Sequence, residues 1–544
     1  MSRKHLGAAG HSYDEEPCGA MQGGLAEAEF LHVEKKIIVD VNRQETRVAL
    51  LEQDSLAELY IERKGRRRIV GNIYIGKVQN VLPGMQAAFV DIGQERNAFL
   101  YAGDILSDKG DLEFPDQQTQ PEIPASIQDA VKPGQQLLLQ VLKEPVGSKG
   151  ARVTTNITLP GRNLVLMPTV NYIGVSRRIE DEEERSRLRD IIERCRPEGM
   201  GVIVRTVGEG KEEGEFTSEM AFLEQLWGQV NGMAAHVQAP ALVHSEEALL
   251  FRTVRDLLSD EVSALVVNEQ ASWQEVKKFA DVLSPEYLNR IQFYQGEEDL
   301  FERYQLDGQI DKLLQRRVWL RSGGYLIIDQ TEALTVVDVN TGKYVGTGTD
   351  VQKTLSATNM EAAAEIARQL RLRDIGGIII IDFIDMESQE NRDQLIDTLQ
   401  MHLKKDRTKS NIVGMTGLGL VEMTRKKVRA SLRSTMLSDC PHCRGEGRVL
   451  SEESVALRIR RNLLRNLRAS SCEDWLVEAS PSIARMILER AAEGQPVLDG
   501  VQGRNIYIKK RAGWDSVRFE IVPLADPEER DAAVRHAERL GDRA

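Results

Sequence analysis

Apolar and polar positions begin to alternate at Lys35: Ile37, Val39 and Val41 interleave with Ile38, Asp40 and Asn42, and residues 47–51 carry a second strand-like run. Between 66 and 100 the pattern becomes short strands broken by glycine and proline. Residues 71–78, a turn at Pro83-Gly84, residues 87–93 and residues 98–100 predict a small β-barrel. An acidic, Gln- and Pro-rich stretch at 107–129 predicts a long loop within it. Residues 156–235 mix strand-like pieces (164–166, 201–204) with a charged helix over 181–196, and 246–292 reads as mostly helical. The clearest β-α-β pattern follows. Residues 334–339 form a strand; 360–373 form a helix capped by Thr358 or Asn359, with Ala363, Ile366, Ala367 and Leu370 on one face. Gly376-Gly377 stops that helix, and the apolar run 378–381 suits a buried parallel strand. The tail, 451–544, reads as a basic helix followed by strands near 475–478, 505–509 and 517–522.

Composition narrows the function classes. A chain of 544 residues suits several compact units at about 100–200 residues each. With 41% hydrophobic and 28% charged residues, wholesale disorder is excluded. No apolar run reaches the roughly 18 residues of a membrane span. The opening segment holds Asp14, Glu15 and Glu16 and lacks the apolar core of a secretory signal, so it reads as a weakly ordered leader. Five scattered cysteines (Cys18, Cys195, Cys440, Cys443, Cys472) argue against a disulfide framework, and a cytoplasmic location is expected. Lys and Arg total 71 against 84 Asp and Glu, a formal charge of −13, so the chain is not a general polyanion binder. Handling nucleic acid would require local basic patches and a metal working against the overall field.

Strand period two puts Asp338 and Asn340 on one side of the first β-α-β strand. The second strand ends in Asp382, with Asp385 expected on the opposite face. A right-handed crossover makes the two strands parallel, so Asp338 and Asp382 both sit at carboxyl ends, where open α/β sheets bind ligands. Two carboxylates beside an amide oxygen form a hard-oxygen site suited to Mg²⁺. Such an ion would polarise a phosphodiester and supply the nucleophile for in-line attack. Strand-end Asp residues also serve as simple turn formers, and periodicity does not separate the two roles.

The run 331–342 (TEALTVVDVNTG), with 367–377 (ARQLRLRDIGG), 381–386 (IDFIDM), 419–426 (GLVEMTRK) and the Cys440-Pro-His-Cys443-Arg-Gly-Glu-Gly segment, resembles the ribonuclease E/G family, in order over about 35–450. Thr341-Gly342 and Thr424-Arg425-Lys426 look more like the G-type than the E-type pattern, whereas 343–350 departs from the E-type pattern. The resemblance implies a multidomain α/β and α+β fold. Its parts would be a leader (1–34), an RNase H-like domain in two pieces (35–70 and 249–315), an inserted OB-fold barrel (71–155) and a 5′-sensor (156–248). A DNase I-like catalytic domain (316–436), a zinc link (437–449) and a small C-terminal domain (450–544) would follow. It implies Mg²⁺ bound by Asp338 and Asp382 with Asn340 in support, and endonucleolytic cleavage of single-stranded RNA to 5′-phosphate and 3′-hydroxyl ends. It also implies roles in mRNA decay and in processing of ribosomal RNA precursors. A noncatalytic RNA-binding or assembly factor built on the barrel is the alternative from another class.

The same resemblance bears on three further groups. Cys440 and Cys443 place two thiolates on one tight turn, half of a tetrahedral zinc site; a redox dithiol or a plain turn fits the spacing too. The family implies a Zn²⁺ shared between two chains, hence a homodimer that pairs again into a tetramer in some members, with His442 expected to point away. Phe89 and Phe99 are the barrel's candidate stacking residues, with Lys149 as the candidate cation; a single Phe is more often buried, but these two match the family's RNA-contacting pair. Gly161, Val165, Arg205 and Thr206 match its 5′-monophosphate pocket: a guanidinium fork, a hydroxyl and backbone donors. Taken without the family, Arg205 reads as an ordinary surface ion pair. Arg66-Arg67-Arg68 reads as a solvated turn. Arg371, Arg373 and Arg425 are read either as phosphate ligands flanking the cleft or as solvated helix-surface charges.

Overall fold

The computed structural model describes residues 34–63, 65, 68–105, 126–145, 149–342, 351–492, 497, 498, 501 and 503–540. The expected leader, most of the 107–129 loop and the divergent 343–350 segment lie outside the described residues. The chain divides into two compact units, one ending at Leu432 and one beginning at Arg433.

In the first unit, Lys35–Val41, Glu45–Glu52 and Ser55–Arg63 form an antiparallel meander, extended by parallel strands Val262–Val267 and Ile291–Phe293. Segments some two hundred positions apart thus share one sheet. Ile37, Val39, Val48 and Leu50 bury one side of it against Val254, Leu257 and Val276. The 246–292 stretch is mostly helical as expected (Leu249–Leu257, Gln270–Leu283 and the 3-10 turn Pro285–Arg290), but its apolar run 262–267 forms a strand buried between neighbours, a pattern that helix and strand share in a short window.

Ile73–Leu82, Ala87–Asp91, Ala98–Tyr101, Arg152–Thr154 and Gln136–Lys143 pair in that order, and the last pairs back onto the first, closing a five-stranded OB-like barrel. Val78, Ala88, Val90, Ala98, Leu100 and Leu139 fill it. Strand Ala241–His244, expected in the following domain, attaches to its outer edge through Ile73–Leu82. Next comes a four-stranded sheet, containing Leu164–Met167 and Gly201–Val204, with helices Glu182–Cys195 and Glu213–His236 sharing its core.

The last sheet of this unit has six strands, in the order Arg317–Trp319, Tyr325–Gln330, Leu334–Asn340, Gly377–Asp382, Leu420–Arg425 and Ser410–Met415. Leu334–Asn340 and Gly377–Asp382 are parallel. Alternation decides which way each residue faces. Leu326, Ile328, Val337, Val339, Ile379 and Ile381 pack beneath helices Val351–Leu372 and Gln389–Leu403, while the intervening positions face away. Ala363, Ile366, Ala367 and Leu370 form the helix stripe read from the sequence. The helix begins at Val351, however, so Thr358 and Asn359 lie inside it and cap nothing. In the second unit, helix Glu452–Ala469 and strands Asp474–Ala479, Asn505–Lys510 and Phe519–Pro523 match the expected tail, the last strand displaced towards its C-terminus.

Neither reading of the three arginines holds. Arg371 is buried and donates to Glu52 at 2.8 Å and Glu58 at 2.9 Å, tying the six-stranded sheet's helix to the first sheet. Arg373 is buried with its guanidinium on Gln369 and on the Gln315 carbonyl. Arg425 is buried between Asp406 (2.7 Å) and Asp374 (2.9 Å). Burial opposes the charge on Arg425, but the hydrogen bonds and charges of Asp406 and Asp374 more than offset it and raise its pKa. Of the Arg66-Arg67-Arg68 run, the first two lie outside the described residues; Arg68 is half-buried and donates to the Val428 carbonyl instead of lying in a solvated turn.

Removing Arg425 leaves the buried Asp406 carboxylate without its cation, whereas Asp374 keeps Arg429, so Arg425→Met should cost the first unit about 3–5 kcal/mol in urea unfolding. Unchanged stability combined with weakened RNA binding would instead restore the phosphate role.

Candidate active site

The parallel register sets Asp338 directly opposite Asp382, on strands about 4.8 Å apart. Val337, Val339 and Ile381 turn into the core, so parity turns Asp338, Asn340 and Asp382 onto the opposite face, where both carboxylates are exposed. Asn340 Nδ2 donates to Asp338 Oδ2 at 2.8 Å and so fixes the carboxylate's orientation. Strand Gly377–Asp382 ends at its aspartate, which removes the parity argument for Asp385; that residue is exposed on the following loop, facing Gly419.

Asn359 holds that loop. It is fully buried; its Nδ2 donates to the Ile384 carbonyl at 2.7 Å and its Oδ1 accepts from Ile384 N–H at 3.1 Å. One side chain thereby replaces a strand partner two residues beyond Asp382. Asn359 lies four residues before Ala363 on the apolar stripe, a spacing that points it inward and not to a helix cap. Among the described residues no cluster of three or more His, Cys, Asp or Glu gathers as a metal cage. A carboxylate pair with open flanks is instead the donor set of an ion that keeps several waters, as Mg²⁺ does.

On the barrel, Phe89 and Phe99 are cross-strand neighbours with ring centroids 6.0 Å apart, edge to face. Both are only half-buried, because Ala88, Val90, Ala98 and Leu100 take the inward positions. Lys149 is exposed, next to Gly150, where any Cβ would collide with the Asn97 carbonyl.

Arg205, Thr206 and Gly161 come together in the four-stranded sheet region, with Val165 in the strand opposite Ile203. Arg205 donates to the Gly161 carbonyl and pairs with Asp256 at 2.8 Å, so it is engaged. Thr206 Oγ1 lies 2.9 Å from Ser176 Oγ. The Gly161 amide, expected to be a free donor, is used by the Leu164 carbonyl. A Cβ at Gly161 would overlap the Glu219 carboxylate, which accepts from the Arg162 and Asn163 amides. Burial raises the pKa of Asp256, but the charges of Arg205 and Arg255 outweigh it and hold the carboxyl below its usual range. Arg407 donates to the Asp256 carbonyl and brings further positive charge to the pocket. Asp256 and Arg407 carry no motif that sequence reading singles out.

In the second unit, Cys440 is exposed and Cys443 half-buried. Backbone N–H groups of Cys443 and His442 aim at the Cys440 sulfur and depress its pKa. Arg444, Gly445 and Gly447 have positive φ, and Arg444 N–H closes the turn on the Cys440 carbonyl at 2.7 Å. His442 points to Ser516 and Asp515 instead of joining the sulfurs.

The ribonuclease E/G family model matches residues 158–428, the span that contains both Arg205 and the carboxylate pair, and the chain belongs to that family. Ribonuclease G of Haemophilus influenzae is 42% identical over 491 residues, covering 90% of this chain and 99% of that protein. Ribonuclease G of Escherichia coli K12 is 41% identical over 490 residues with the same shares. Ribonuclease E of Haemophilus influenzae is 34% identical over 499 residues, 91% of this chain but 53% of that longer protein.

Because Asn359 positions the Asp382 loop without reaching the open face, Asn359→Ala should lower kcat about 10–100-fold, as loss of an outer hydrogen-bond partner does, with little change in RNA affinity. Steady-state kinetics with a fluorescent oligonucleotide measures this; an unchanged kcat would remove Asn359 from the site.

Proposed function

We propose that this endoribonuclease hydrolyses single-stranded RNA at Asp338 and Asp382, leaving 5′-phosphate and 3′-hydroxyl ends. The observation that carries this is the direct register of two exposed carboxylates on parallel strands. Coulomb repulsion between them favours a bound cation, and Mg²⁺ would supply charge neutralisation and an activated oxygen nucleophile. Asp338 and Asp382 would hold it, and Asn340, through its hydrogen bond, would keep Asp338 turned towards it. Phe89 and Phe99 offer exposed ring surface for stacking bases, and Lys149 a cation for the backbone. The strand orders support the finer fold reading: an RNase H-like first sheet and a DNase I-like six-stranded catalytic sheet.

A 5′-monophosphate would take Asp256's place on the Arg205 fork, with Thr206 contributing its hydroxyl and Gly161 and Val165 the pocket wall. The Cys440–Cys443 turn supports a Zn²⁺ shared with a second copy, a homodimer able to pair again into a tetramer. Ribosomal RNA precursors and messenger RNA in the cytoplasm are the proposed substrates. A noncatalytic RNA-binding or assembly role leaves the paired carboxylates without a purpose.

Asp338→Asn should bind RNA as wild type does, while cleavage falls roughly 100-fold or more with the loss of several kcal/mol of transition-state stabilisation. Retained cleavage in EDTA would remove the metal. Arg205→Ala should erase the preference for 5′-monophosphorylated over 5′-hydroxyl RNA and leave cleavage of the 5′-hydroxyl substrate unchanged. Equal loss on both substrates would count against the pocket.

A further inference from the structure

Strand Arg317–Trp319, at the edge of the catalytic sheet, presents a surface that the reading above does not use. Val318 and Leu320 turn towards the helices, while Arg317 and Trp319 turn away, Trp319 being 63% exposed. In register, Trp319 lies opposite Tyr325, and Tyr325 opposite Asn340. Directly paired residues project to the same side of a sheet, so the indole and phenol share the face of Asn340, Asp338 and Asp382. Two strand spacings, about 10 Å, separate Trp319 from Asn340.

The three side chains at this edge form one assembly. The indole and phenol rings meet edge to face at 5.4 Å between centroids. The Arg317 guanidinium lies 4.7 Å from the Tyr325 centroid and 5.5 Å from that of Trp319. Among the described residues no carboxylate pairs with Arg317; its neighbour Arg316 neutralises Asp329. The hairpin joining the two strands is pinned from the helix behind, where Glu361 accepts from the Arg321 and Ser322 amides. A large aromatic surface held rigidly in water, beside an unneutralised guanidinium, matches what a single nucleotide presents: a flat base and an anionic phosphate.

We propose that Trp319, with Tyr325 and Arg317, is a second RNA-binding subsite that stacks a base of the single strand close to the scissile phosphodiester. The inference rests on Asp338 and Asp382 being the cleavage centre. Barrel contacts would then hold the strand at a distance, whereas this platform fixes the nucleotides next to the cut.

The test compares wild type, Trp319→Ala, Trp319→Phe and Asp338→Asn on a short single-stranded RNA and on versions abasic at each of the two positions either side of the cut. Loss of one stacked base should lower kcat/KM for Trp319→Ala about 5- to 100-fold, with Trp319→Phe close to wild type. One abasic position should cost wild type a similar factor and cost Trp319→Ala nothing further. Equal abasic penalties in both proteins would overturn the proposal. So would an unchanged kcat/KM, or a shift in sedimentation of Trp319→Ala that marks the face as a contact between copies of the chain. Cleavage surviving in Asp338→Asn would fail the underlying catalytic reading instead, and is separately visible.

Discussion

Two acidic strand ends brought side by side are the constraint around which the six-stranded sheet, the proposed catalytic one, is built. Asp338 and Asp382 are more than forty positions apart in the chain, and only a parallel pairing of their strands aligns them. A parallel pair needs a crossover, which the Val351–Leu372 helix completes. The helix buries the underside of both strands and leaves the acidic side open. Repulsion between the two carboxylates is held by the apolar side of the same strands: Val337, Val339, Ile379 and Ile381 anchor them in a core that contributes far more than the repulsion costs. Asn340 and Asn359 then refine the arrangement, one at the carboxylate itself and the other through the loop beyond its neighbour.

Around that sheet the arginines are structural struts. Arg371 reaches Glu52 and Glu58 on the first sheet, where Tyr60 hydrogen-bonds Glu58 and Arg429 stacks on the Tyr60 ring. Arg425 binds Asp374 and Asp406; the next residue, Arg407, reaches Asp256, which itself holds Arg205. A continuous polar path therefore runs from Arg205, in the proposed 5′-end pocket, to the strand beside Asp382. It gives the proposed sensor and cleavage centre a common frame.

Much of this was legible in the sequence because it follows from period and parity. The same-face placement of Asp338 and Asn340, the apolar helix stripe and the Gly/Pro-punctuated barrel each express local geometry. Resemblance supplied what periodicity lacks, gathering Arg205, Thr206 and Gly161 and pairing Phe89 with Phe99. What failed depended on distant partners. Arg371, Arg373 and Arg425 looked like surface or phosphate-binding cations because the carboxylates and carbonyls that bury them come from residues as far away as Glu52. Asn359 passed for a cap because its partner, the Ile384 backbone, arrives only through the fold. Trp319 gave no signal, since whether an aromatic side chain on a short edge strand is buried depends on what covers it.

The most direct measurement is anomalous diffraction from crystals soaked in Mn²⁺. The account predicts one strong peak bridging the Asp338 and Asp382 carboxylates, absent from Asp338→Asn crystals treated identically. No peak there, in crystals of a chain that still cleaves its oligonucleotide in the same Mn²⁺ buffer, would contradict it.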